Sequence, residues 1–296
     1  MALAGRGALP QVTETPGSQR SSRILPGLGH TAGLRGVLVA LASTAVFFTV
    51  LALLVVRSRG WDEFRAAFFD GAQLRASFPR IADAFLLNLR VFVIVQAIVL
   101  AAALALAVLR SLPGPVFFPI RLLTIIYADV FRGIPVLLFV LMLGFGIPGL
   151  RIEGVPTSEL FWGATALAIV YTAYVSEVYR AGIESIHPSQ DAAARSLGLT
   201  RLQSMRHVVL PQAVRRVVPP LLNDAISLQK DTALISVLGV VEGLQQAQID
   251  SAATFNFTPY VVAALLFLAI TIPLTRLTDW LVARDRRRRA AAQVVA

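Results

Sequence analysis

A chain of 296 residues that is 56% hydrophobic, with a mean hydropathy of +0.70, is too apolar for a water-soluble domain. It has no cysteine and three scattered histidines, His30, His187 and His207, so disulfides and thiolate metal sites are excluded and a metal centre is not expected. The net charge of +10 is almost wholly arginine, with Lys230 the single lysine, and reads as membrane topology rather than affinity for nucleic acid.

The first 35 residues are rich in Gly, Pro, Ser, Thr and Arg and read as a disordered cytoplasmic tail. They are longer than a cleaved leader needs, so the apolar run that follows, 36–56, is expected to be a retained N-terminal transmembrane helix. Five further runs near the ~20 residues that cross a bilayer lie at about 84–109, 117–144, 160–179, 214–240 and 259–282. The third and fifth of the six carry breakers or charges and are expected to be bent or discontinuous, which is tolerated where the backbone lines a cavity. Residues 283–296 form a basic cytoplasmic tail. No stretch remains for a soluble domain, and no phosphate-cradling glycine loop occurs.

Basic loops set the orientation. The insert between spans four and five carries Arg195, Arg201, Arg206, Arg215 and Arg216, and the C-terminal tail carries Arg284 and Arg286 to Arg289. The loop after span five, 242–258, has no basic residue. Both termini and the insert are therefore expected in the cytoplasm, in a multi-pass protein of the cell membrane. Arg57, Arg59, Arg65, Arg75 and Arg80 dissent, since they fall in a loop placed outside, where Asp62, Glu63, Asp70 and Asp83 nearly neutralise them.

Within the third span, Asp129-Val130-Phe131-Arg132-Gly133-Ile134-Pro135 interrupts the apolar run. Gly133 and Pro135 loosen the helix, while Asp129 and Arg132 stand at i,i+3 and can pair. The end of the fourth span, Glu177-Val178-Tyr179-Arg180-Ala181-Gly182, repeats this acidic, aliphatic, aromatic, arginine order. Asp129, Arg132, Gly133, Pro135, Glu177 and Arg180 thus form a structural or gating set, open equally to substrate contact and to anchoring at the inner surface. Trp61, Trp162 and Trp280 fall near the predicted interfaces, where amphipathic rings are common.

The insert 188–211 is polar. Ser189 is a candidate N-cap with Asp191 near the positive end of the dipole. Ala192 to Leu197 favour helix, and Gly198 stands where a left-handed residue would end it. Thr200 can cap a second short helix with Gln203 as capping-box partner, and Pro211 stops that helix or opens the next. Two short helices hinged at Gly198 would present Ser196 to Thr200 at a bend. A helix-turn-helix looks similar, but flanking spans leave no room for its core. A plain connector is the other bland reading.

Asn223, Asp224, Ser227, Lys230 and Asp231 stand out in the fifth span, overlapping on one helical face. Charges at membrane depth are expected to face protein or water. They line a substrate path or a subunit interface, or else Lys230 and Asp231 neutralise each other at a bend.

The insert resembles the cytoplasmic loop of permease subunits of ATP-binding-cassette importers. Ala192-Ala193-Ala194 holds the place of its Glu-Ala-Ala triplet, Gly198 that of its glycine, and Val208 with Leu210-Pro211 its end. Ala192 stands where the family usually has glutamate; Asp191 is one residue earlier, and whether it takes the glutamate's place is open. The Phe131-Arg132-Gly133-x-Pro135 run, the Glu177 to Ile186 segment and Leu228-Gln229-Lys230-Asp231-Thr232-Ala233-Leu234 narrow the resemblance to the polar amino-acid uptake family, over 84–282. That resemblance implies an all-α membrane protein of the type I importer permease fold, with five core transmembrane helices plus one N-terminal helix. It implies two permease subunits, identical or paralogous, ATPase subunits, and an extracytoplasmic solute-binding protein. It also implies that Asp191, Ala192, Ala193, Ser196, Leu197, Gly198, Leu199, Thr200 and Arg201 dock on the ATPase. The chain would be no enzyme and hold no cofactor, ATP being bound by the partner. Another small solute, such as an opine or oligopeptide, is the alternative cargo. From other classes, a secondary transporter driven through Lys230, Asp231 and Glu177 would need no Gly198 loop, and the intramembrane charges argue against a mere scaffold.

Overall fold

The structure, a computed structural model, describes residues 34–112 and 114–295, and every regular element among them is helical. The tail read at 1–35 lies outside the described residues but for its last two. The described residues fall into two compact units, divided after Trp61. The first contains α1, Leu34–Val56, an apolar helix whose described side chains are all exposed, as a lipid-facing span requires.

The second unit begins at Asp62, within α2 (Trp61–Phe68), and continues into α3 (Gly71–Arg110). The second predicted span begins at 84, but α3 starts 13 residues earlier because Asp70 caps it, accepting from Ala72 N at 2.7 Å and Gln73 N at 3.3 Å. The third span divides into α4 (Phe118–Gly133) and α5 (Val136–Gly149), bent by 100° at Ile134–Pro135. Pro135 has no N–H to continue the ladder, and it drives Ile134 to an extended conformation.

The central helix is α6 (Glu159–Glu184), against which α3, α5, α4 and α9 (Leu210–Asp231) pack. Val91, Val95 and Val99 of α3, Val140 of α5, and Leu167 and Val170 of α6 form its buried core. Where α6 meets α9, Gly182 lets the backbones close up, since a Cβ there would collide with Val217 Cγ1. The fifth span is discontinuous: α9 ends at Asp231, the backbone tightens into a 3-10 stretch, Thr232–Leu238, and Gly239 turns it at φ 82°.

The segment after it, read as a loop, contains a helix, α10 (Gly243–Thr254). Glu242 caps that helix, accepting from Leu244 N at 3.0 Å and Gln245 N at 2.9 Å. Asn88 of α3 donates to Glu242 Oε2 at 2.7 Å and accepts from Gly243 N at 3.0 Å, and Arg80 pairs with Asp250 at 3.1 Å, so both ends of α10 are strapped to α3. The last helix, α11 (Thr258–Val295), continues through the segment read as a basic tail.

Among the described residues three helices are long and apolar enough to cross a membrane, or four if α4 and α5 form one bent span. Helices α6 and α9, at 26 and 22 residues, have the length but are not among those three. Tyr171, Thr172 and Ser176 of α6 are buried.

Candidate functional site: a bent polar insert and two polar clusters

The insert folds into α7 (Pro188–Ser196) and α8 (Arg201–Ser204). The cap of α7 is His187 rather than Ser189. Pro188 occupies the first turn and obliges the residue before it to be extended, and the His187 Nδ1 accepts from Ser189 N at 3.2 Å. At the other end Gly198 takes φ 88°, the Gly198 N–H reaches Arg195 O at 3.0 Å, and the Leu199 N–H reaches Ala194 O at 3.3 Å. This is the paired bonding of a glycine-ended helix. The capping box is present: Gln203 N donates to Thr200 Oγ1 at 3.3 Å, and Thr200 N to Gln203 Oε1 at 2.9 Å.

Ser204 Oγ donates to Asp191 Oδ1 at 2.5 Å, tying α8 to α7 and bracing the bend, and Arg216 of α9 donates to the Ser185 carbonyl at the end of α6. A π turn, Met205–Val209, joins α8 to α9 without a break, so Pro211 lies in the first turn of α9 and opens it. Ala192, Ala193, Ser196, Leu197, Gly198, Thr200 and Arg201 are exposed, Asp191 and Leu199 half-buried. Leu197 is 84% and Leu202 77% exposed. Beside them lies a concavity of about 510 Å³ lined by Pro188, Asp191, Arg195 and Thr200 among others. Leu197 and Leu202 thus leave apolar surface bare on the bend, the kind of surface a partner can cover.

The motifs of α4 and α6 meet. Arg132 pairs with Asp129 at 2.9 Å, at the i,i+3 spacing expected, and lies 3.9 Å from Glu177. Glu177 also pairs with Arg180 at 2.8 Å and with Arg110, at the end of α3, while Arg180 pairs with Glu184. One carboxylate thus gathers arginines from three helices. Arg110 and Glu184 escaped the sequence reading, although an arginine closing a long apolar run is a visible signal. Gly133 and Pro135 are exposed at the break beside this cluster.

The polar residues of α9 do not act as one face. Asn223 and Lys230 are exposed, whereas Asp224, Ser227 and Asp231 are half-buried. The neutralising pair of Lys230 and Asp231 does not form. Neighbours in a helix point about 100° apart, and the Asp231 carboxylate accepts from the Tyr171 hydroxyl of α6 at 2.7 Å. Asp224 Oδ2 is buried without a hydrogen-bond partner.

The family model described as "Binding-protein-dependent transport system inner membrane component" matches residues 115–287. The "Probable glutamine ABC transporter permease protein GlnM" of Bacillus subtilis (strain 168) is 37% identical over 202 residues, 67% of this chain and 90% of that one. The "Arginine transport system permease protein ArtQ" of the same organism is 31% identical over 198 residues, 67% and 88% of the two chains. In structure, the chain is similar to that in "Crystal structure of an amino acid ABC transporter with histidines", with TM-score 0.65, 30% identity, and coverage of 73% of this chain and 98% of that one. The MetNI methionine transporter in inward-facing form, at 17% identity and TM-score 0.55, over 69% of this chain and 95% of that one, shares the fold. By sequence, by helical architecture and by its several bilayer-length helices, the chain belongs to the family of inner membrane components of binding-protein-dependent transport systems, as a multi-pass permease subunit.

Proposed function

We propose that the chain is the permease of an ATP-driven importer for a polar amino acid. Relatives named as glutamine and arginine permeases support that cargo, as does the amino-acid transporter of related structure. In this reading two permease subunits, identical or paralogous, enclose the path. ATPase subunits bind and hydrolyse ATP on the cytoplasmic side, where both termini lie, and an extracytoplasmic solute-binding protein delivers the cargo. The chain itself holds no cofactor.

The observation that carries the reading is the braced bend of α7 and α8, with Leu197 bare and Gly198 at positive φ. An ATPase cleft seated there gains apolar burial and a firm grip. Because α8 runs through the π turn into α9, displacement of the bend is delivered to α9, and through the Tyr171–Asp231 bond to α6. ATP-driven closure of the ATPase pair would then move these helices together and switch the path between inward and outward access.

The test is reconstitution of the chain with its ATPase and binding protein in vesicles, with labelled glutamine, arginine, histidine, an opine and an oligopeptide offered in turn. Uptake of a polar amino acid that requires ATP and every component is expected. Uptake driven by an ion gradient without ATP would contradict the reading.

A further inference from the structure

A groove of about 800 Å³ lies between α3, α4 and α6. Its walls are nearly all apolar, with Ile94 and Ile98 of α3 facing Phe161 and Ala168 of α6. Polar groups line chiefly its two ends: Arg90 and Ser158 at one, Tyr127 and Thr172 at the other. The Tyr127 hydroxyl is already spent on the Ile169 carbonyl at 2.7 Å, and that of Thr165 on Phe161 O at 2.7 Å. Those two donors are already used within the chain, and the wall between the two ends is apolar. A hydrocarbon chain needs no polar partner.

Arg90 is the exception. It is exposed at the mouth of the groove. Arg80 and Arg110 of the same helix are paired with carboxylates, but Arg90 has none within ion-pair distance among the described residues. An unpaired guanidinium at the mouth of an apolar groove suits an anionic headgroup, since its fork matches a phosphate. From Arg90 to Ala102 the groove follows α3 for about 18 Å at 1.5 Å per residue. That is close to the ~15 Å of hydrocarbon in one leaflet.

We infer that this groove binds one anionic phospholipid, its phosphate on the Arg90 guanidinium and an acyl chain laid between α3 and α6 toward Tyr127. The headgroup lies on the side where α6 begins. The site is separate from the docking bend and from the polar residues of α9, and does not depend on which solute is carried.

The test places a diazirine-bearing residue at Ile94, which is 61% exposed on the groove wall. The assembled transporter is irradiated in vesicles of equal phosphatidylglycerol and phosphatidylethanolamine, and adducts are weighed by mass spectrometry. Phosphatidylglycerol adducts should exceed the zwitterionic ones by about five-fold, the preference one arginine gives near an anionic headgroup. Arg90→Gln should abolish that preference, and Arg90→Lys should keep part of it. Ala168→Trp, which fills the groove without touching the charge, should lower both adducts. Equal adducts in the unaltered chain, a preference that survives Arg90→Gln, a cross-link to a protein segment, or no lipid adduct would each overturn the inference. So would displacement of the lipid by inorganic phosphate, which would make this a site for a free anion.

Discussion

Lys230 and Asp231 are chain neighbours that serve different surfaces: the ammonium is exposed, and the carboxylate is held by Tyr171 across the α6–α9 contact. The coupling that matters is therefore Tyr171 with Asp231. Tyr171→Phe and Asp231→Asn should each destabilise the chain, and the double variant should be little worse than either. A hydrogen bond to a charged group contributes about 1.5–3 kcal/mol, and a double-mutant cycle on unfolding midpoints would measure it. Lys230→Met combined with Asp231→Asn should be additive; rescue of one by the other would restore the neutralising pair that the geometry denies. Glu177 carries a heavier duty. Glu177→Gln removes the shared partner of Arg110, Arg132 and Arg180 and leaves three guanidiniums crowding one another. Uptake per assembled complex should fall several-fold, whereas Glu177→Asp should retain part of it. Equal uptake in all three would reduce the cluster to a surface anchor.

Helix α6 depends on a close approach to α9 at Gly182. Gly182→Ala drives a methyl into Val217 Cγ1, and overpacking of this kind costs about 1–3 kcal/mol. The thermal midpoint should drop, and adding Val217→Ala should recover part of it. An unchanged midpoint in Gly182→Ala would mean that the helices sit farther apart. At this scale much was legible in the sequence. Gly133 and Pro135 announce the α4–α5 break because they remove a side chain and a donor where the ladder must continue. Thr200 with Gln203 announces α8, and Gly198 the bend. The cap of α7 was misplaced by two residues because Pro188 outranks Ser189: a fixed φ at the first turn decides which residue precedes it. Helix α10 was invisible because its cap is Glu242, an uncommon N-cap, and its stability comes from Asn88 and Arg80, about 150 or more residues away in the chain. Long-range bonds of that sort leave no local pattern. The same holds for Arg110, whose meaning appears only when α3, α4 and α6 are brought together.

Across the molecule, the packing bears on the arginines that strain the topology. Phe257 N donates to Ala67 O at 2.7 Å, Phe68 stacks on Phe257 at 5.1 Å, and Arg80 reaches Asp250. Arg65, Arg75 and Arg80, within the second unit, therefore share one side of the membrane with α10, the segment that has no basic residue. The chain has no cysteine, so single cysteines report cleanly. Placed at the exposed Glu63 and Gln248, they should be labelled alike by an impermeant thiol reagent on whole cells. Cysteines at Ser18 and Gln293 should resist it. Opposite labelling of Glu63 and Gln248 would break this packing, and labelling of either terminus would invert the topology. In the proposed mechanism the bend of α7 and α8 couples ATP hydrolysis to the membrane helices. Gly198 has φ 88° with no atom within 4 Å of where a Cβ would lie. Replacement there strains the backbone by ~1–2 kcal/mol and thickens the bend without clashing inside the chain. The decisive measurement is ATP-driven amino-acid uptake by reconstituted Gly198→Asp complex beside the unaltered one, with equal permease in the membrane: uptake abolished while the chain stays folded is the predicted result, and uptake at the unaltered rate would contradict the account.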